Sequence, residues 1–235
     1  MCILYTRHQR RQAQSVCAVC ILRLRHWRGV DAMSGRQGNA RAALSERGDD
    51  LYETPPDCTR ALIASGAIER VMGRPADEIM IWEPCAGRGA IVEPLRAAGF
   101  EVCAQDLRAY PGAVPGIATP IDFLMERRAL GDIIVTNPPY KLADAFLRHG
   151  LHLGRPVIAL LRLAALEGAS RSDLIDGHLR EVLLGIERPP MMHRHGWQGD
   201  KIATSGVPFA WFVFAPAPRP PGEVIALRRI SWRGA

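Results

Sequence analysis

The segment Ile79 to Trp82 is a short apolar run that leads straight into Glu83-Pro84-Cys85-Ala86-Gly87-Arg88-Gly89. No other feature narrows the fold as much. An apolar run this short, bounded by Pro84 and Gly87, reads as a buried strand. A helical pattern follows from about Ala90, with Gly99 as its stop. A strand, a glycine turn and a returning helix begin a parallel sheet, and the chain repeats the theme. Strands are expected at Glu101 to Gln105, Asp132 to Thr136 and Pro156 to Leu163, and helices at Lys141 to Leu153 and Ser170 to Leu179. Ahead of the first strand, Pro55 and Pro56 open a helical pattern through Leu62, Ile63, Ile68 and Val71, which ends near Gly73. Further β signals lie at Glu181 to Ile186, Phe209 to Ala215 and Glu223 to Leu227. The expectation is an α/β fold: a mostly parallel seven-stranded sheet flanked by helices, with an antiparallel C-terminal end. In such sheets ligands bind beyond the C-terminal ends of the strands, where the strand order reverses.

Charge invites a nucleic-acid reading and then qualifies it. The 235 residues carry a formal charge of +6. Residues 1–32 hold six arginines against Asp31 alone, and so supply most of it. Residues 33–140 have an excess of acids (11 basic, 15 acidic), whereas residues 188–235 are basic (seven against two). Residues 1–48 show no sustained hydrophobic period and are expected to form a flexible basic segment. Met33, followed by Ser34-Gly35-Arg36, offers a second start, so residues 1–32 are expected to be an upstream extension. The folded unit is expected over residues 49–235. No apolar stretch reaches the roughly 20 residues of a membrane span, and arginines interrupt every apolar run near the N-terminus. The six cysteines do not form a disulfide framework, which fits a reducing cytoplasm. Cys17 and Cys20 form a CxxC with no second pair, and His193 and His195 have no third ligand nearby, so no metal is expected.

Four motifs fall at the ends of expected strands. Gly87 and Gly89 allow a tight turn and a close backbone approach to a ligand, with a helix N-terminus beyond to favour an anion. Val92 stands where a dinucleotide loop needs its third glycine, and no Gly-Lys-Ser/Thr follows, which disfavours NAD and nucleoside triphosphates. Asp106, just after the second strand, suits bidentate hydrogen bonding to ribose hydroxyls. Asp122 and Phe123 could supply an acceptor and an apolar wall for an adenine ring, or Asp122 could cap a helix. Asn137-Pro138-Pro139-Tyr140 follows an apolar strand directly. Its prolines stiffen the turn and leave carbonyls free. The Asn137 amide oxygen and the Pro138 carbonyl can both accept from one amino group, and Tyr140 offers a flat face for stacking.

These residues resemble a known family. The run from ETPP (Glu53 to Pro56) through EPCAGRGAIVEPL (Glu83 to Leu95), Asp106, DFL (Asp122 to Leu124) and NPPY is similar to the class I S-adenosylmethionine-dependent methyltransferases. Within them it looks like a gamma-class DNA adenine-N6 methyltransferase of the small phage or prophage type. The stretches Leu160 to Gly168 and Ala210 to Phe214 add weaker likeness. The resemblance implies a Rossmann-like fold, S-adenosylmethionine as cofactor and DNA as partner. It also implies catalytic roles for Asn137, Pro138, Pro139 and Tyr140. Thr54, Pro55 and the loop Glu83, Pro84, Cys85, Ala86, Gly87 and Gly89 would hold the methionine part. Asp106 would hold the ribose, and Asp122 with Phe123 the adenine, and Asn137 would also touch the cofactor. Cytosine-N4, RNA adenine-N6 and protein glutamine are the alternative substrates, and a silent nucleic-acid-binding module is the alternative of another class.

Large gamma-class enzymes carry a separate recognition domain, and most of the 95 residues after Tyr140 are needed for the sheet. The substitute is expected in a recognition loop over residues 188–207, where Arg188, Arg194, Trp197 and Lys201 suit phosphate contacts and base stacking. Arg162 and Glu167 flank the end of a strand, where they fit either a nucleic-acid contact or an ion pair.

Overall fold

A computed structural model of the chain describes residues 51–189 and 206–233. The basic leader, Arg194, Trp197, Lys201, His193 and His195 lie outside these residues. Five α-helices occur among them: α1 (Pro56–Ala64), α2 (Ala67–Met72), α3 (Val92–Ala97), α4 (Ala143–His152) and α5 (Ser172–His178). The strands are β1 (Met80–Glu83), β2 (Glu101–Gln105), β3 (Ile117–Ala118), β4 (Ile133–Thr136), β5 (Val157–Arg162), β6 (Leu179–Gly185), β7 (Phe209–Phe214) and β8 (Ala226–Ile230). They form one sheet in the order β3-β2-β1-β4-β5-β7-β6-β8. β7 alone runs against its neighbours, and β8 pairs parallel with β6. The order reverses between β1 and β4, and the site lies at the C-terminal ends of these strands.

Period-two alternation splits the sheet into two buried faces. Ile81, Ile133, Val135, Ile158, Leu160, Trp211 and Val213 point to one side, where Cys58 and Leu62 of α1 and Leu95 of α3 pack. Trp82, Ile134, Val157, Ala159, Leu161, Phe212 and Phe214 point to the other, against Phe146 and Leu147 of α4 and Leu174 of α5. A helix–sheet–helix sandwich results, as the alternating pattern required.

Three expectations are corrected. The sheet has eight strands, because the two-residue β3 was hidden in a stretch dominated by Pro111, Gly112, Pro115, Gly116 and Pro120. The last strand starts three residues later than its β signal and pairs parallel with β6, while the expected antiparallel end is formed by β7 against β5 and β6. β8 is fastened by Glu181, which accepts from Arg70 (2.9 Å) and from Arg228 (2.5 Å). Trp232 then closes over Gly185 and donates its indole N–H to the Glu187 carbonyl at 2.8 Å. The single helix expected through Val71 is two, broken at Gly66, whose φ of 64° only glycine adopts readily. Among the described residues no helix is long and apolar enough to cross a membrane.

The buried indole of Trp211 in β7 donates to the Cys58 carbonyl in α1 at 2.9 Å, tying the N-terminal helix to the sheet. Trp211→Phe should lower the unfolding free energy by about 2 kcal/mol, the sum of a lost buried hydrogen bond and a small cavity. Urea denaturation checks this; an unchanged midpoint would mean that α1 is held by other contacts.

Candidate active site

Asn137 follows directly on β4 and is the centre of the site. Its amide donates one hydrogen to the Tyr52 carbonyl and the other to Thr54 Oγ1, each at 3.1 Å. Both donors are thereby used, which fixes the amide's orientation. Its Oδ1 is left buried with no partner among the described residues. An acceptor in that condition costs about 1–3 kcal/mol, so it is a group waiting for a donor. Pro138 beside it is buried and Pro139 half-buried, so the turn is rigid.

A second acceptor lies at the end of β1. Glu83 Oε1 accepts from Thr136 Oγ1 at 2.7 Å and from the Cys85 N–H at 3.1 Å, while Oε2 is buried and unpartnered. Burial pushes the Glu83 carboxyl up to about 8. The Cys85 thiol lies 2.8 Å from Thr136 Oγ1 and 3.4 Å from the Asn137 carbonyl. Burial and the neighbouring Glu83 raise its pKa well above the usual thiol range, so it stays a thiol and links the two strand ends as a neutral group.

The glycine loop is as tight as its sequence requires, and both of its glycine N–H groups are spent internally. Gly87, at φ 56°, donates to Asp106 Oδ2 at 2.8 Å, and the Leu51 side chain crowds the space where a Cβ would stand. Gly89, at φ 100°, faces Val114 and donates to the Ala86 carbonyl at 2.7 Å. The helix expected from Ala90 begins only at Val92 and spans six residues. The two glycine N–H groups are thus unavailable to an anion, and the helix whose N-terminus was expected to favour one is short. What the strand ends present unsatisfied are the Glu83 and Asn137 oxygens, together with the Gln105 amide. The Asn137 oxygen suits a ligand that brings a hydrogen-bond donor, and a cation beside Glu83 would favour the ionised, accepting form of its carboxyl.

Asp106 is buried, with Oδ1 accepting from the Arg108 N–H at 2.9 Å, and burial raises its pKa. Next to it Leu107 is 56% exposed. Beside the loop is a cleft of about 110 Å³ lined by Gly87, Arg108, Tyr110, Val114, Ile117 and Thr119. Asp122 caps a 3-10 turn through the Leu124 N–H at 3.0 Å. Phe123 is corrected: it is 2% exposed and packs edge-on to Trp82 and His149 and against Phe146, so its ring has no face to offer an adenine.

Tyr140 sits in a group that sequence reasoning mostly missed. Its ring centroid is 5.1 Å from that of Tyr52 and 6.2 Å from that of Phe209, and the Arg162 guanidinium lies 4.5 Å over it. Tyr52 immediately precedes ETPP, the one signal that could have found it. Thr54, expected to touch a cofactor, accepts from the Asn137 amide, and Glu53 pairs with Arg88 at 3.6 Å. Arg188 is exposed and donates to the Gly206 carbonyl, away from this cluster's hydrogen bonds. Among the described residues no three His, Cys, Asp or Glu side chains converge to hold a metal ion.

No family model and no curated protein matches the chain. Solved structures do. A proposed RNA methyltransferase from Pyrococcus horikoshii aligns with a TM-score of 0.50 at 13% identity, over 70% of this chain and 86% of that one. The modification subunit of a proposed type I restriction enzyme from Vibrio vulnificus gives 0.44 at 14% identity, over 79% of this chain and 50% of that one. Magnesium protoporphyrin IX methyltransferase from Synechocystis, with bound SAM, gives 0.43 at 13% identity, over 68% and 80%. The first of these shows that the fold is the Rossmann-like one of the methyltransferases.

The buried Glu83 makes a pH prediction. Below pH 4.5 its carboxyl is protonated in folded and unfolded chains alike, and stability is at its fullest. As pH rises towards 8 the unfolded chain loses that proton while the folded chain keeps it, so stability falls, and levels off above. Glu83→Gln is neutral throughout. Its thermal midpoint should exceed that of the parent at pH 8, with the advantage vanishing towards pH 4.5; an advantage independent of pH would refute the burial account.

Proposed function

We propose that this chain is an S-adenosylmethionine-dependent methyltransferase acting on the exocyclic N6 amine of adenine in DNA. The observation that carries the reading is Asn137 Oδ1: a buried acceptor with its amide locked from behind, at the end of β4, next to the Pro138 carbonyl. An –NH2 group brings two donors, and this pair can take both. The methyltransferase fold and the unpaired Glu83 oxygen support the cofactor. A methionine ammonium would find Glu83 Oε2, and its positive charge would draw the carboxyl back to its ionised form. Asp106 suits the ribose hydroxyls, and the cleft lined by Arg108 and Tyr110 suits the adenine that Phe123 cannot serve. Pro55, Pro84, Cys85, Ala86, Gly87 and Gly89 then shape the walls around the methionine part, and Asp122 stands at the rim.

The cofactor supplies a methyl group already activated on sulfonium, so the chain's own task is position. Asn137 and Pro138 hold the amine by both hydrogens. In that grip the nitrogen lone pair, otherwise drawn into the ring, is turned outward for in-line attack. The methyl group would pass to that nitrogen, and the sulfur would keep the pair of the broken methyl–sulfur bond. Positive charge gathers on nitrogen, where the same two oxygens stabilise it before one proton leaves to solvent. In duplex DNA the base must first leave the stack, at a few kcal/mol. Stacking on Tyr140 offsets about 1–3 kcal/mol of this.

Transfer of labelled methyl to DNA, with mass spectrometry of the product nucleosides, tests the reading. N6-methyladenine is expected; N4-methylcytosine, methylated RNA or methylated glutamine would each reassign the substrate. Asn137→Ala should cut turnover about 10³-fold, as loss of a transition-state donor or acceptor does elsewhere, while calorimetry still shows cofactor binding. Normal turnover in that variant would remove the acceptor pair from the mechanism.

A further inference from the structure

Arg162 ends β5, where its backbone is ladder-paired with Phe209 of β7 and the next residue, Leu163, donates to the Pro208 carbonyl at 2.9 Å. The main chain is thus fixed, while the side chain is exposed. Its guanidinium lies 4.5 Å over the Tyr140 ring, and it makes no ion pair among the described residues. Of the three groups around that ring, Tyr52 is half-buried and Phe209 buried; Arg162 alone can leave without unpacking the core. A stacked guanidinium keeps its five N–H donors at the edge of its plane, and that fork matches phosphate oxygens.

We propose that Arg162 covers Tyr140 in the free protein and, when a nucleobase takes its place on the ring, passes to a phosphate flanking that base. The inference rests on the methyl-transfer reading and deepens it. A nucleotide brings a planar ring and a phosphate to the site together, which a glutamine side chain does not. Arg162 is then a specificity-determining residue for polynucleotides. It lies outside the Asn137–Tyr140 motif and outside residues 188–207.

The test pairs Arg162→Met and Arg162→Lys with oligonucleotides that carry a neutral methylphosphonate on either side of the target adenine. Arg162→Met should raise KM for DNA about tenfold, the weight of one charge-assisted hydrogen bond, with kcat and cofactor affinity little changed. The salt slope of DNA binding should fall by about 1. A methylphosphonate at one flank should impose the same loss on the parent enzyme and none on Arg162→Met. Arg162→Lys should restore the salt slope but only part of KM. An equal methylphosphonate effect in parent and Arg162→Met, or an unchanged KM, would overturn the inference while methyl transfer stood. Absence of transfer from the parent enzyme to any polynucleotide overturns the methyl-transfer reading on nucleic acid, and this inference with it. Should Arg162→Met unfold, insensitivity of the parent to both methylphosphonates still decides against it.

Discussion

The two hydrogen bonds from the Asn137 amide to Tyr52 and Thr54 organise much of the rest. They join the segment ahead of α1 to the end of β4, residues more than eighty positions apart. Because both amide hydrogens are committed, the oxygen has one orientation, and the turn after β4 presents an acceptor rather than a donor. The stiff Pro138-Pro139 backbone and the Trp211 bond to α1 serve the same end from the two sides. A looser segment at Tyr52 would let the amide rotate, and the acceptor would be lost without any change at Asn137 itself.

Along the C-terminal edge of the sheet the charges divide. The β1 and β2 side carries Glu83 and Asp106, both buried and both raised in pKa by that burial. The β4 and β5 side carries Lys141 and Arg162, both exposed. Buried carboxyls are costly unless something cationic or donor-rich meets them, whereas exposed cations cost little and act at longer range. The two halves of the edge are therefore suited to different ligands, and Cys85 and Thr136 connect them at the strand ends.

Much of this was legible in the residues. The apolar run before Glu83, the glycines after it and the Pro-Pro turn after Thr136 placed β1, β4 and the site, because each is a local signal with a local cause. What failed depended on distant partners. Phe123 looks like a wall beside a ligand until Trp82, Phe146 and His149, from three other elements, enclose it. Asp122 fitted two readings, and the 3-10 turn realises the cap. Gly87 was expected to allow a tight turn, but the bond that holds that turn comes from Asp106, nineteen residues on. β3 is too short to leave a period. Arg162 reaches the Tyr140 ring only because β4 and β5 lie side by side, which no single segment encodes.

The reversed direction of β7 has a consequence for how such a chain can diversify. β6 finishes and β7 starts at the same edge of the sheet, the edge that bears Asn137 and Tyr140. Residues 186–208 therefore depart from and rejoin the molecule on that side. Loop closure grows only slowly in cost with length, by about 0.6 kcal/mol per doubling. A stretch anchored in this way can be lengthened, shortened or exchanged with no shift of strand register and no disturbance of the acceptor pair. The architecture thus leaves that length of chain open to change while the strands stay in register.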